Sequence, residues 1–411
     1  MSTLANLAEK ATAIFDSLAG SGGNHLTPVA LLEIDGKPFG THAMSRILSI
    51  SLTDKRGFEA DELSIELSDH DSALALPAKA AKIKLWLGYQ QSGVVYKGEY
   101  KIAETSVQGA PDTLSITAHA ADLSEKMAEQ QEKSWHATSL KAIIETIANT
   151  HGYEPVIGKA FQAENIAHID QTNESDAAFL TRLAERYDAI ATVKHGRLLF
   201  VSAGEATTAG GTPMPAIHIT RASGDGFSFR YANTESYQAV RACYTDKKTG
   251  KKLEVIINQD NAAPIKETKT NKRSGKSRTR TAPAKKIDTT GLKIKTLRHL
   301  YQSQATATTG ARAAYKKLKR GAMAFEINLA VGRPDVAPES PVTVAGFKPY
   351  IDAESWVGVE VKHTLDGNGL TTQIQLESLI DFSEAEPRAG KNPRAACRHL
   401  SMQRRAACGL I

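Results

Sequence analysis

Cysteine is almost missing from this 411-residue chain: Cys243, Cys397 and Cys408 are the whole supply. An odd count with no CxxC pair excludes a disulfide framework and a thiolate zinc site, and it fits a reducing compartment. Aromatic residues are also sparse, at 6%. No window approaches the roughly 18 uninterrupted apolar residues of a membrane-spanning helix. The opening MSTLANLAEKATAIFDSLAG has neither the basic start nor the continuous apolar stretch of a secretion signal. Signature motifs are lacking too. There is no P-loop, no HExxH, no GxSxG and no strand-placed GxGxxG, so the sequence patterns with a defined catalytic mechanism are absent.

What the chain does have is size and an uneven charge. At 41% hydrophobic residues it can bury two to four cores, which excludes wholesale disorder. Its 51 Lys and Arg against 45 Asp and Glu give +6 overall. Nine of those bases and one acid lie within 266–286, and six bases with no acid lie after 387. Setting both segments aside leaves 36 bases and 44 acids, a net of −8. The basic balance therefore belongs to two short segments on an acidic body.

Periodicity divides the chain further. Residues 3–18 place Leu4, Leu7, Ala11, Ile14 and Leu18 at helical spacing, which predicts a short amphipathic N-terminal helix or arm over 1–25. From 26 to 128 the pattern turns to short alternating runs such as SRILSISLTD, DELSIELSD and AKIKLWLGYQ, about ten residues apart. This spacing predicts an antiparallel β-barrel or sandwich. Residues 129–205 predict an α/β module. Leu140, Ile143, Ile144 and Ile147 share one helical face, and Phe179, Leu180, Leu183 and Tyr187 share another. A hairpin turning at His195-Gly196 follows. After a Gly/Thr/Pro-rich linker at 202–216, β patterning resumes across 206–384, with a strong hairpin signal at Asp366-Gly-Asn-Gly369. Within it, 262–290 reads as a solvated basic flexible loop. The 385–411 tail has no period and is expected to be disordered. The fold class is thus α+β and β-rich, with an inserted α/β module.

Candidate chemistry is thin. His136, His168 and Asp170 could in principle meet a metal, but their spacing fixes no ligand geometry, and they are read as caps and surface polar groups. Glu174 and Asp176 invite a two-carboxylate glycosidase reading. Standing just before a helix, they are better explained as caps that meet its positive end. IKETKTNKRSGKSRTRTAPAKK could bind phosphates, yet it has no aromatic residue for stacking and no helix with which to enter a groove. No catalytic residue, metal ligand or cofactor site is expected.

Several phrases in order resemble the phage late control gene D family, the tail hub proteins of P2-like contractile phages. They are DGKPFG, RILSISLTDKRGFEADELSIELSDHDSALALPAKAAKIKLWLGY, KGEYKIAETSVQGAPDTLSITAHAAD, SWHATSLKAIIETIANTHGY, HIDQTNESDAAFLTRLAERYDAIATVKHGRLLF and AGFKPYIDAESWVGVEVKHTLDGNGLTTQIQLES. Together they span about residues 28–380. The family is similar in fold to the hub part of type VI secretion spike proteins. The resemblance implies two tube-like antiparallel β-barrel domains in each subunit of a homotrimer. It further implies a non-enzymatic adapter in the virion baseplate, assembled in the host cytoplasm, that joins a six-fold tail tube to a three-fold spike. Implied partners are the tail spike protein, the tail tube protein, other baseplate proteins and the tape measure. DNA would only pass through the lumen, and no stable membrane insertion is expected. An acidic body would suit such a lumen by repelling phosphates, with the basic loop facing outward. A tail-associated peptidoglycan-degrading enzyme and a nucleic-acid-binding late-gene regulator are the alternative readings.

Overall fold

Alternation of apolar and polar residues governs most of the fold. The computed structural model describes residues 26–379, apart from 59, 122–124, 195, 205–213, 232–236, 247–248, 264–265, 271–276 and 282–286. The expected N-terminal helix, the tail after 385 and most of the 202–216 linker lie outside the described residues.

The first seven strands are β1 (Pro28–Ile34), β2 (Lys37–Pro38), β3 (Ile47–Lys55), β4 (Glu62–Ser68), β5 (Lys82–Tyr89), β6 (Gly93–Gln108) and β7 (Thr113–Ala120). Each neighbour pair is antiparallel, in the order β2-β1-β5-β6-β7-β4-β3. Asp35 and Gly36, at φ 47° and 78°, supply the two left-handed residues that fold β1 back into β2. Every second residue points inward, and Ile50, Leu52, Ile65, Leu85 and Ile116 belong to one buried cluster. No long helix contributes to that cluster. A sheet that buries one face against itself has to curl, so these strands form a roll.

The α/β module follows. It comprises β8 (Gln130–Ser139), α1 (Leu140–Thr150), β9 (Glu154–Ile157), β10 (Asn165–Ser175), α2 (Asp176–Tyr187), β11 (Ala189–Lys194) and β12 (Arg197–Ser202). Ser139 caps α1 by accepting from the Ala142 N–H at 3.1 Å, and Ser175 caps α2 through Ala178 at 3.2 Å. The apolar stripes predicted for both helices are buried in one core with Phe161, Leu198 and Phe200, with Tyr187 half-buried against it. β8 and β10 form a two-stranded ribbon, and β11-β12-β9 a small sheet.

Two further strands, β13 (Ile217–Thr220) and β14 (Gly224–Tyr231), precede a second compact unit, Thr234–Leu318. That unit contains β15 (Ala239–Thr245), β16 (Lys252–Ile257), β17 (Lys266–Thr270), β18 (Ser277–Thr281), β19 (Ile294–Tyr301) and nearly all of α3 (Gln304–Arg320). Val240, Ile257, Tyr301, Ala311 and Tyr315 make its core. Gly310 is required there, because a Cβ would stand 2.1 Å from the Tyr301 hydroxyl. Two expectations are corrected at this point. The domain expected over 206–384 is interrupted by a separate unit. The basic segment expected as a flexible loop holds an antiparallel ribbon, with Lys266 opposite Thr281 and Thr270 opposite Ser277. Its threonines at every second position suit a strand, although the segment has no apolar period to betray one.

The chain returns to the first unit as β20 (Met323–Leu329), β21 (Pro341–Ala345), β22 (Trp356–Asp366) and β23 (Gly369–Ser378). With β13 and β14 they form a second roll, ordered β14-β20-β23-β22-β21-β13, around Phe325, Ile327, Trp356, Val361 and Ile374. The two rolls share one topology. Matching β1, β3, β4, β5, β6, β7 in chain order with β13, β14, β20, β21, β22, β23 turns the order β1-β5-β6-β7-β4-β3 into β13-β21-β22-β23-β20-β14. A single pair differs in direction: β1–β5 is antiparallel and β13–β21 parallel. The architecture is α+β, β-rich and dominated by antiparallel sheet.

Candidate functional site: a charged joint between the rolls

The feature that welds the rolls is a ladder between β3 and β22, running from Lys55 opposite Glu360 to Ile50 opposite Leu365. It makes one continuous sheet of 13 strands. Side chains reinforce it from several elements. The Tyr89 hydroxyl on β5 donates to the Gly332 carbonyl at 3.0 Å, where the backbone comes so close that a Gly332 Cβ would lie 2.8 Å from Leu370 O. Lys97 on β6 reaches the second roll and donates to Pro334 O at 3.2 Å, Val336 O at 3.3 Å and His363 Nε2 at 3.0 Å. Arg56 pairs with Glu339 and Glu377.

The module enters the same joint. Lys194 on β11 donates to Asp54 at 2.9 Å and pairs with Asp61. Asp188, just past α2, forms a two-pronged pair with Arg320, while Gly204 N–H donates to Glu339 at 3.0 Å. Most of these groups are buried: Asp54, Asp61, His363 and Arg320 are each at most 9% exposed. A buried charge is tolerable only when paired and hydrogen-bonded, so the network ties three parts of the unit in one geometry.

The titration behaviour follows from that crowding. Burial alone would raise the Asp54 carboxyl, but Lys194 and Lys97 overcome it and hold Asp54 below the usual range. Its neighbour Asp61 is pushed up to about 6 by burial and by the Asp54 charge. Burial depresses the Lys97 ammonium, against the pull of Asp54. His363 is driven down to about 3 by burial and then by Lys97, and so it is neutral. With Lys97 donating to Nε2, the proton sits on Nδ1 and is donated to Thr372 Oγ1 at 2.9 Å.

A raised carboxyl binds its proton more tightly in the folded than in the unfolded protein. Asp61 therefore costs stability as pH rises from about 4 to 6 and holds that cost above 6. Asp54 acts oppositely and in another window, its contribution being lost as pH falls below about 4. Asp61→Asn keeps the bond from Lys55 N–H but cannot ionise. Urea unfolding at pH 4.5 and 7 should show the native chain losing on the order of 2 kcal/mol between the two values. The variant should lose clearly less; equal losses would contradict this assignment.

The residues weighed from the sequence fall elsewhere. The β8–β10 register does bring His136 opposite His168 and Asp170 opposite Ser134. His136 and His168 touch through Nδ1 atoms 3.0 Å apart, and His168 Nε2 lies 2.9 Å from Asp170. Both nitrogens of His168 are thus occupied, and among the described residues no group of three or more ligands could hold a metal. Glu174 binds Arg182, and Asp176 is buried against His151 at 2.8 Å and Gln171 at 2.8 Å. The cap of α2 is Ser175 between them, so the two carboxylates face different partners rather than one cleft. Cys243 is a free thiol on β15, while Cys397 and Cys408 lie outside the described residues. Sequence reasoning passed over Asp54, Lys97 and His363, although a signal existed. Asp54 continues the inward series Ile50, Leu52, and His363 stands between Val361 and Leu365, so each puts a polar group in an apolar slot.

Comparison with known proteins agrees with this architecture. The chain is 36% identical over 387 residues to the probable baseplate hub protein of Escherichia phage P2, covering 91% of this chain and 99% of that one. Two solved structures are similar in fold. One is a tail protein from Neisseria meningitidis, with TM-score 0.60 and 11% identity over 85% of this chain and 96% of that chain. The other is a type VI secretion component from E. coli, with TM-score 0.52 and 9% identity over 85% and 77%. The profile of the phage tail baseplate hub (GPD) family matches residues 58–369. The chain therefore belongs to the phage tail baseplate hub family, whose members are structural parts of the virion tail and not enzymes.

Proposed function

We propose that this hub is a homotrimeric adapter that starts the six-fold tail tube and holds the three-fold spike. The observation that carries the reading is the repeated topology of the two rolls. Three copies would present six near-equivalent rolls to a tube ring, while everything built only once per chain, such as the α/β module and the inserted unit, would follow three-fold symmetry. Closed cyclic assembly also removes sheet edges that a lone subunit leaves open. The rigidity of the charged joint suits a part that transmits force between tube and spike.

Tube, spike and neighbouring baseplate proteins are the partners of this reading, with tape measure and DNA as transient contents of the lumen. The acidic balance of the body supports a lumen that repels phosphates. Mass measurement of the purified chain, alone and mixed with its spike protein, tests the proposal. A trimer in either sample is the expected result, and a monomer in both would overturn it.

A further inference from the structure

The repeated topology identifies which surfaces of neighbouring copies should meet. Within one chain, β3 of the first roll pairs with β22 of the second. β22 uses one side for β23 along nearly its whole length. On its other side Trp356 and Val357 take β21, and Glu360–Leu365 take β3. The counterpart of β22 in the first roll is β6. It too gives one side to β7, from Tyr100 to Gln108, and its N-terminal half to β5, as far as Lys101. Past the Ile102 N–H, which bonds Ala81 O, that second side of β6 meets no strand among the described residues. The counterpart of β3 is β14, which pairs with β20 alone among the described residues. The second roll thus offers an unoccupied β3 position, and the first roll an unoccupied place to receive it.

We propose that β14 of one copy adds antiparallel to the 103–108 stretch of β6 in the next copy, repeating between chains the β3–β22 ladder found within each. The inference rests on the trimer reading above and specifies its interface.

Aligning the hairpin ends of β22–β23 and β6–β7, and the last paired inward positions of β3 and β14, sets the register. The inward residues Ile50, Leu52 and Asp54 of β3 match Phe227, Phe229 and Tyr231 of β14, while His363 and Leu365 of β22 match Thr105 and Val107 of β6. Transferring the observed pairs Leu365–Ile50, Thr364–Ser51, His363–Leu52 and Lys362–Thr53 then gives Val107–Phe227, Ser106–Ser228, Thr105–Phe229 and Glu104–Arg230.

The surfaces suit each other. Phe227 packs on the roll core, 5.0 Å from the Phe347 ring and 6.0 Å from Phe325, yet stays 44% exposed; Val107 stays 58% exposed. Core-facing apolar groups left open at an unpaired edge are what a missing strand would cover. The same register sets exposed Glu104 opposite exposed Arg230, a favourable cross-strand pair. Such a contact is heterologous, using two different surfaces, and it closes into a ring after three copies instead of forming a two-fold dimer.

The test uses the full chain with its three cysteines changed to serine and with Ser106→Cys and Ser228→Cys together. Mild oxidation should link copies into dimers and closed trimers on a denaturing gel, while either single variant should not. Glu104→Arg should raise the concentration needed for assembly roughly tenfold, and adding Arg230→Glu should restore it. A trimer by mass with no 106–228 link and no charge rescue would overturn the interface and leave the trimer standing. A chain that stays monomeric with and without its spike protein would overturn both.

Discussion

Arg320→Met should destabilise the hub by roughly 3–5 kcal/mol, the cost of stranding a buried partner charge. Arg320 and Asp188 are each 8% exposed at the side chain, and Arg320 also lies 3.5 Å from Glu377. Burial works against the guanidinium, but the bonds to Asp188 overcome it and hold the proton more firmly than usual. Methionine fills similar space and leaves the buried Asp188 without its cation, while Glu377 keeps Arg56. Arg320→Lys keeps the charge but not the two-pronged geometry, and should lie between the two. Urea unfolding followed by circular dichroism reads the effect. A loss under about 1 kcal/mol for the methionine variant would show that the pair behaves like a solvated surface bridge.

Trp356→Ala should cost a similar amount, about 3–5 kcal/mol. The ring is fully buried at the start of β22, with its centroid 5.4 Å from Phe325 and 6.2 Å from Phe229. Its indole N–H donates to Ile351 O at 3.1 Å, so truncation opens a cavity and also removes one of two bonds to that carbonyl, which still accepts from the Glu354 N–H at 3.3 Å. Trp356→Phe retains most of the volume and should lose less than half as much. The same unfolding experiment separates the two, and equal losses would mean that the hydrogen bond outweighs the packing.

Local order was legible in the residues, and long-range pairing was not. Alternation in ILSISLTD and ELSIELS marked β3 and β4, and Asp366 to Gly369 marked the turn between β22 and β23, because both signals lie within a few neighbours. The β3–β22 ladder joins segments some 300 residues apart, as the Arg56–Glu377 pair does. Nothing in either strand names the other. The repeat of the rolls was hidden for a related reason: a strand order is conserved by pattern and connection, and any apolar residue fills an inward slot. The β17–β18 ribbon lacked even that pattern. The buried charges were visible only as exceptions to an alternation, and such exceptions also occur at ordinary strand ends.

The hairpin between β3 and β4 and the connection between β14 and β20 are counterparts, yet they are used differently. In the first roll the short bend carries Phe58 into packing contact with the core of the α/β module, and Asp61 takes Lys194 from it. In the second roll the same corner opens to admit the whole unit Thr234–Leu318. Each roll thus uses one corner as its attachment point, once by docking and once by insertion. Such a frame can exchange its attachments without redrawing the ladder that carries it, so appendages and roll strands are free to diverge at different rates.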